Sequence, residues 1–90
     1  MCETKRLKIR NDLGLHGRAA ARIVELAGQY RSNLYFQKDD HEVDGSSILS
    51  ILTLDCPKGT ELQARADGED AKELMDSLSN LFEQKFGENK

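Results

Sequence analysis

The sequence predicts an α+β fold: one four-stranded sheet covered on one face by three helices, in the order β-α-β-β-α-β-α. Three observations lead there. Short segments alternate polar and apolar residues with period two, the mark of a strand with one buried face. Two longer segments carry apolar residues at helical spacing. A short apolar run follows two serines placed to cap a helix. Alternating strands leave one sheet face wet, so the helices must gather on the other, giving two layers.

Arg6-Leu7-Lys8-Ile9-Arg10 alternates as a first strand, and Asn11-Asp12-Leu13-Gly14 stops it with turn-forming residues. From Ala19 the period changes: Ala19, Ile23, Leu26 and Tyr30 make a helical stripe with Ala20 and Ala27 beside it. Arg22, Glu25 and Arg31 fall off that stripe, and the helix is expected to end near Gly28 to Tyr30. Leu34 and Phe36 alternate with Asn33, Tyr35 and Gln37 in a second strand; Lys38-Asp39-Asp40 turns it into a short third, His41-Glu42-Val43. Asp44-Gly45-Ser46-Ser47 then starts a short helix over Ile48 to Leu54, closed by Pro57 and Gly59. Leu62, Ala64 and Ala66 alternate in a fourth strand. Asp67-Gly68-Glu69-Asp70 is expected to open the last helix, whose apolar stripe is Ala71, Leu74, Met75, Leu78, Leu81 and Phe82.

Composition narrows the function. Ninety residues suit one domain spanning 1–90, with little room for a deep cavity, so function should sit at the surface. Thirteen basic and sixteen acidic residues are interleaved, giving a formal charge of −3. No basic stripe is available to neutralise a phosphate backbone, which argues against nucleic-acid binding. No apolar run approaches the roughly 20 residues of a membrane span, and nothing apolar follows the charged start Met1-Cys2-Glu3-Thr4-Lys5-Arg6. A cytoplasmic protein without membrane insertion is expected. Cys2 and Cys56 form no CxxC and have no histidine at ligand spacing, so they read as reduced thiols, Cys2 frayed and Cys56 in a loop, and no metal site or cofactor is expected.

The informative segment is Gly14-Leu15-His16-Gly17-Arg18-Ala19-Ala20-Ala21, between a strand and a helix. It places His16 at or next to the helix N-cap. A helix start offers unpaired N–H donors and the positive end of the dipole, which suits an anion. Gly17 lets the backbone approach closely, and Arg18 adds a fork of donors matched to phosphate oxygens. An imidazole nitrogen is a competent nucleophile near neutral pH. The same spacing also fits a capping histidine beside a solvated arginine. His41, on a short polar strand, reads as solvated. In the middle helix Ile48, Leu49, Ile51, Leu52 and Leu54 exceed one buried stripe, so some of Ile48, Leu49 and Leu52 should be exposed, either as scattered surface apolar residues or as a docking patch.

The segment Gly14-Leu15-His16-Gly17-Arg18-Ala19-Ala20 resembles the active-site signature of HPr, the histidine-containing phosphocarrier of the bacterial phosphotransferase system. Asp44-Gly45-Ser46-Ser47-Ile48-Leu49-Ser50-Ile51-Leu52-Thr53-Leu54 resembles that family's regulatory serine region, and Lys58-Gly59-Thr60-Glu61-Leu62 a further segment. The similarity runs from about Lys5 to Phe86. It implies an open-faced β-sandwich with three helices (βαββαβα), and a carrier that works through a covalent phosphohistidine and is not itself an enzyme. It implies phosphorylation of His16, steadied by Arg18 and by the backbone at Gly17 and Arg18, and a regulatory phosphorylation at Ser47. It implies phosphate received from Enzyme I, charged by phosphoenolpyruvate, and given to IIA-type proteins. HPr kinase/phosphorylase would act on Ser47, docking would use Ala21, Ile48, Leu49 and Leu52, and the carrier would be a monomer. Three departures stand out: Gly17-Arg18-Ala19 replaces the Ala-Arg-Pro of many relatives, Leu13 a frequent polar residue, and Asp55 a small one. They leave open a nitrogen-branch or regulatory paralogue that does not feed sugar transport. A docking module switched at Ser47 would not need His16 beside Arg18. A small enzyme has little support, since no metal cluster, paired acids or nucleotide loop is present.

Overall fold

The computed structural model describes all 90 residues. Strands β1 (Cys2–Lys8), β2 (Asn33–Lys38), β3 (His41–Asp44) and β4 (Glu61–Asp67) form one sheet in the order β1-β4-β2-β3, every neighbour antiparallel. Helices α1 (Gly17–Ala27), α2 (Ile48–Leu52) and α3 (Ala71–Glu83) complete the expected order.

The register explains which face is dry. Phe36 stands opposite both Val43 and Ala64, Leu34 opposite Ala66, and Leu7 opposite Leu62. All seven are buried. The helices bury their own stripes: Ala19, Ala20, Ile23 and Ala27 on α1, and Ala71, Leu74, Met75, Leu78 and Phe82 on α3. At the far end of the core the Phe82 ring lies 6.2 Å from Phe36 and 4.9 Å edge-on from Phe86. On the wet face Arg65 stacks over the Tyr35 ring at 4.3 Å and pairs with Glu42 at 3.2 Å.

The first strand begins earlier than its alternation indicates. Cys2 pairs with Asp67, so it is not frayed, although its side chain is exposed. Lys5 stands opposite Ala64, on the face that Leu7 buries, and its ammonium donates to Ser79 Oγ on α3 at 2.8 Å. A charged residue at an inward position on an edge strand hides the strand from a pattern reader and discourages edge-to-edge pairing. At the other end Ile9 leaves the strand but stays fully buried, held by Ile9 N–H to Thr60 O at 2.8 Å.

Two helix boundaries also move. α2 stops at Leu52, and Leu54 is buried in the following turn. There Asp55 adopts φ 53°, a conformation that Asp and Asn tolerate better than other non-glycine residues. The last helix starts at Ala71, because Asp67 belongs to β4 and Asp70 works elsewhere. Instead of capping α3, the Asp70 carboxylate accepts from Arg31 N (2.9 Å), Ser32 N (2.8 Å) and Ser32 Oγ (2.5 Å), tying the α1–β2 connection to the start of α3. Those bonds, the Ser32 hydroxyl foremost, hold its carboxyl below the usual aspartate range. Cys56 lies in the loop after α2, as expected, but is buried there, and burial pushes its thiol up, which keeps it protonated.

After α3 the chain reverses. Lys85, Phe86 and Gly87 all have positive φ (58°, 58° and 83°), a left-handed turn that costs about 1 kcal/mol or more for each non-glycine residue. Phe86 is fully buried, and that burial sustains the strain.

Candidate functional site

His16 is the N-cap of α1, with φ −90° and ψ −179°. Its carbonyl accepts the first helical bond from Ala20 N at 2.9 Å. The approach is fixed by the loop before it. Gly14 sits at φ +73°, where a Cβ would fall 2.7 Å from Cys56 O, so glycine is required twice over. Leu15 N donates to the same Cys56 carbonyl at 2.8 Å and the Leu15 side chain is buried, which anchors the residue next to His16 in the core.

The two ring nitrogens of His16 face different partners. Nδ1 accepts from the Arg18 backbone N–H at 3.2 Å, a long and therefore weak bond. Nε2 lies against the Glu88 carboxylate, delivered by the left-handed turn from the other end of the chain. The other Glu88 oxygen accepts from Asn11 Nδ2 at 2.8 Å, and that amide also donates to Gly14 O at 2.7 Å. Burial opposes ionisation of Glu88 most strongly, but the Asn11 and His16 hydrogen bonds and the nearby Arg18 charge together outweigh it. Its carboxyl is held below the usual glutamate range. Asn11 is fully buried and its Oδ1 has no partner. The His16 side chain is still 27% exposed.

Around the Nδ1 side the surface is open. A Cβ at Gly17 would meet nothing within 4 Å. Arg18 is exposed and its guanidinium takes part in no ion pair. A histidine nitrogen, first-turn amides and a free guanidinium together make a place for a dianionic group attached to the ring.

Ser47 caps α2, its Oγ accepting from Ser50 N at 3.3 Å. The neighbouring Ser46 hydroxyl is committed to Asp44 Oδ1 at 2.7 Å. Ile51 is the buried residue of α2, while Ile48 and Leu52 are partly exposed and Leu49 is 77% exposed. α2 packs on α1, and Ala21 is half-buried. Leu13, 73% exposed in the loop before His16, is a further exposed apolar residue. His41 stays exposed, 3.3 Å from Thr53 Oγ1. The sequence reading missed Glu88 and treated Asn11 only as a turn former. The sole local hint was an amide-bearing residue that could face inward.

The chain matches a protein-family model described as the PTS HPr component phosphorylation site over residues 3–84. It is 39% identical to the phosphocarrier protein HPr of Xylella fastidiosa (strain Temecula1) over 83 residues, covering 92% of this chain and 93% of that protein. It is 31% identical to the phosphocarrier protein NPr of Proteus mirabilis, covering 99% of this chain and all of that one. The crystal structure of HPr-C-His from Thermoanaerobacter tengcongensis superposes with a TM-score of 0.93 at 34% identity, covering 98% of this chain and 99% of the other.

Proposed function

The chain belongs to the HPr family of phosphocarrier proteins, and from that premise we propose that His16 accepts a phosphoryl group from phospho-Enzyme I in the cytoplasm and passes it to IIA-type proteins. The observation that carries this reading is the seat of His16: an accessible ring at the N-cap of an eleven-residue helix, with open backbone at Gly17 and an uncommitted Arg18 beside it. Nδ1 is the nucleophile. It faces the helix end, and its one bond is weak enough to be given up. Once phosphorylated, the dianion would lie against the first-turn amides and within reach of Arg18. The deciding experiment is incubation with phosphoenolpyruvate and Enzyme I, followed by mass measurement. A gain of one acid-labile phosphate supports the reading, and no gain sinks it.

Arg18→Ala should slow transfer in at least one direction by about tenfold or more, the scale of one charge-assisted contact to a phosphoryl group. Its melting temperature should stay close to the parent's, since Arg18 is exposed and off the buried stripe. Quench-flow transfer rates and a thermal melt check both halves; unaltered rates would leave the arginine a solvated charge.

Ile48, Leu49 and Leu52, with Ala21 on α1, are proposed as the docking surface, and Ser47 as its switch for a kinase of the HPr kinase/phosphorylase type. A phosphate on Ser47 adds about two negative charges at the rim of an apolar surface, opposing an apolar or acidic partner. Ser47→Asp keeps a good N-cap residue, so the fold should be unaffected. Both Ser47→Asp and Leu49→Glu should raise the Enzyme I concentration needed for half-maximal phosphorylation by about tenfold, as loss of a central contact does. Parent-like curves for both would remove this surface and the role of Ser47 from the proposal. The likeness to NPr favours a second reading, a nitrogen-branch carrier. Offering the protein sugar-branch and nitrogen-branch Enzyme I in parallel decides between them by the faster transfer.

A further inference from the structure

We infer that Glu88 is a positioning residue for His16, whose carboxylate keeps the ring proton on Nε2, so that Nδ1 presents its lone pair to the incoming phosphoryl group and leaves as a neutral nitrogen in the onward step. The inference rests on the phosphocarrier reading and adds to it a residue far from the signature segment.

A neutral imidazole carries one proton on either of two nitrogens, and only the bare nitrogen can attack phosphorus. An ionised carboxylate can only accept hydrogen bonds, so the Glu88 contact requires Nε2–H. On the opposite side of the ring the Arg18 N–H donates, so Nδ1 must be the acceptor. The two contacts select the same tautomer.

The carboxylate is held there by several independent devices. Phe86 is fully buried against Phe82, and Lys85 to Gly87 turn the chain back in the left-handed region. Lys90 O accepts from Asp12 N at 3.0 Å, and Asn11 binds the free Glu88 oxygen at 2.8 Å. A chain that accepts strained backbone to place one carboxylate on one ring nitrogen has a constraint to satisfy at that atom.

The consequence for transfer follows atom by atom. The Nδ1 lone pair forms the new N–P bond as the bond from phosphorus to the donor group of phospho-Enzyme I breaks, its electron pair returning to that donor atom. Nε2–H is untouched, and the ring, now substituted at Nδ1, carries a positive charge that Glu88 faces. In the onward step the Nδ1–P bond breaks, its pair returns to Nδ1, and the ring is again the neutral Nε2–H tautomer. No proton enters or leaves His16 in either step. Without Glu88, loss of the Nε2 proton from the phosphorylated ring would leave an anionic nitrogen as leaving group, a slower departure.

The test is nuclear magnetic resonance of the unphosphorylated protein, with ¹⁵N-labelled histidine, alongside transfer kinetics. In the parent, Nε2 should carry the proton. That proton should resonate downfield and exchange slowly with water. In Glu88→Ala it should be lost to fast exchange, and onward transfer to a IIA protein should slow by about tenfold. Glu88→Gln keeps an oxygen acceptor and should recover part of both. An unprotected Nε2–H in the parent overturns the inference, and so does a proton equally protected in Glu88→Ala. Parent-like transfer in Glu88→Ala also overturns it, leaving Glu88 as a clip for the C-terminal turn. The magnetic-resonance result needs no Enzyme I, so failure of the parent to accept phosphate would count against the carrier reading and leave the ring contact separately judged.

Discussion

His16→Ala is expected to take up no phosphate from phosphoenolpyruvate and Enzyme I, while the parent should gain one phosphoryl group per chain that is lost in acid and survives in base. This is the expected result if the ring nitrogen is the attachment point, because a nitrogen-linked phosphate is labile to acid and no second histidine has a comparable seat. His41 is exposed on a four-residue strand, with one long contact to Thr53. The cost to folding is small. The substitution removes an N-cap acceptor, worth about 1 kcal/mol, and the Nε2–Glu88 contact; the Glu88 carboxylate keeps its bond from Asn11, and the buried Leu15 and Ala19 stay in place on either side of residue 16. Circular dichroism and a melt establish that the variant is folded before its mass is compared with the parent's. Phosphate that persists in the variant moves the site elsewhere.

Phe86→Ala is expected to lower stability severely. The ring is completely buried and meets Phe82 edge-on at 4.9 Å, so truncation removes its burial and opens a cavity beside a second aromatic ring. The cost is about 3–5 kcal/mol. For a domain of this size that lowers the melting temperature by roughly 10 °C or more. Alanine gains nothing back from the backbone, since it is also strained at φ 58°. Below its melting temperature the variant should also transfer phosphate more slowly, because the turn that carries Glu88 to His16 loses its anchor. Thermal unfolding followed by transfer kinetics at low temperature measures both. A melting temperature within a few degrees of the parent's would mean that the C-terminal turn lies outside the cooperative core.

Most of the secondary structure was legible because its causes are local. The alternation of Leu34 and Phe36, and of Leu62, Ala64 and Ala66, reappears as the buried sides of β2 and β4. Ser47 caps α2 as its position before Ile48 indicates. The excess of apolar residues in α2 appears as an exposed Leu49. The failures share a different cause. The alternation in β1 begins only at Arg6, because Lys5 occupies an inward position that an apolar side chain would ordinarily fill, and its partner Ser79 is 74 residues away. Asp70 looked like a helix-start acid, but its oxygens are spent on Arg31 and Ser32, 39 and 38 residues back.

The sequence by itself determined the order of the elements, the buried face of each, and the seat of His16 at the start of α1 between Gly14 and Arg18. Each of these follows from residues within a few positions of one another, where period, turn chemistry and capping act. Only the tertiary structure decided what stands on the far side of the His16 ring. Glu88 lies 72 residues from His16, beyond a helix and a left-handed turn in which non-glycine residues give no sign of positive φ. It reaches the ring because burial of Phe86 outweighs that strain, and because Asn11, whose own placement depends on Gly14, holds the second oxygen. A contact closed by packing at both ends leaves no periodic trace in the chain between them, so it becomes visible only when the ends are brought together.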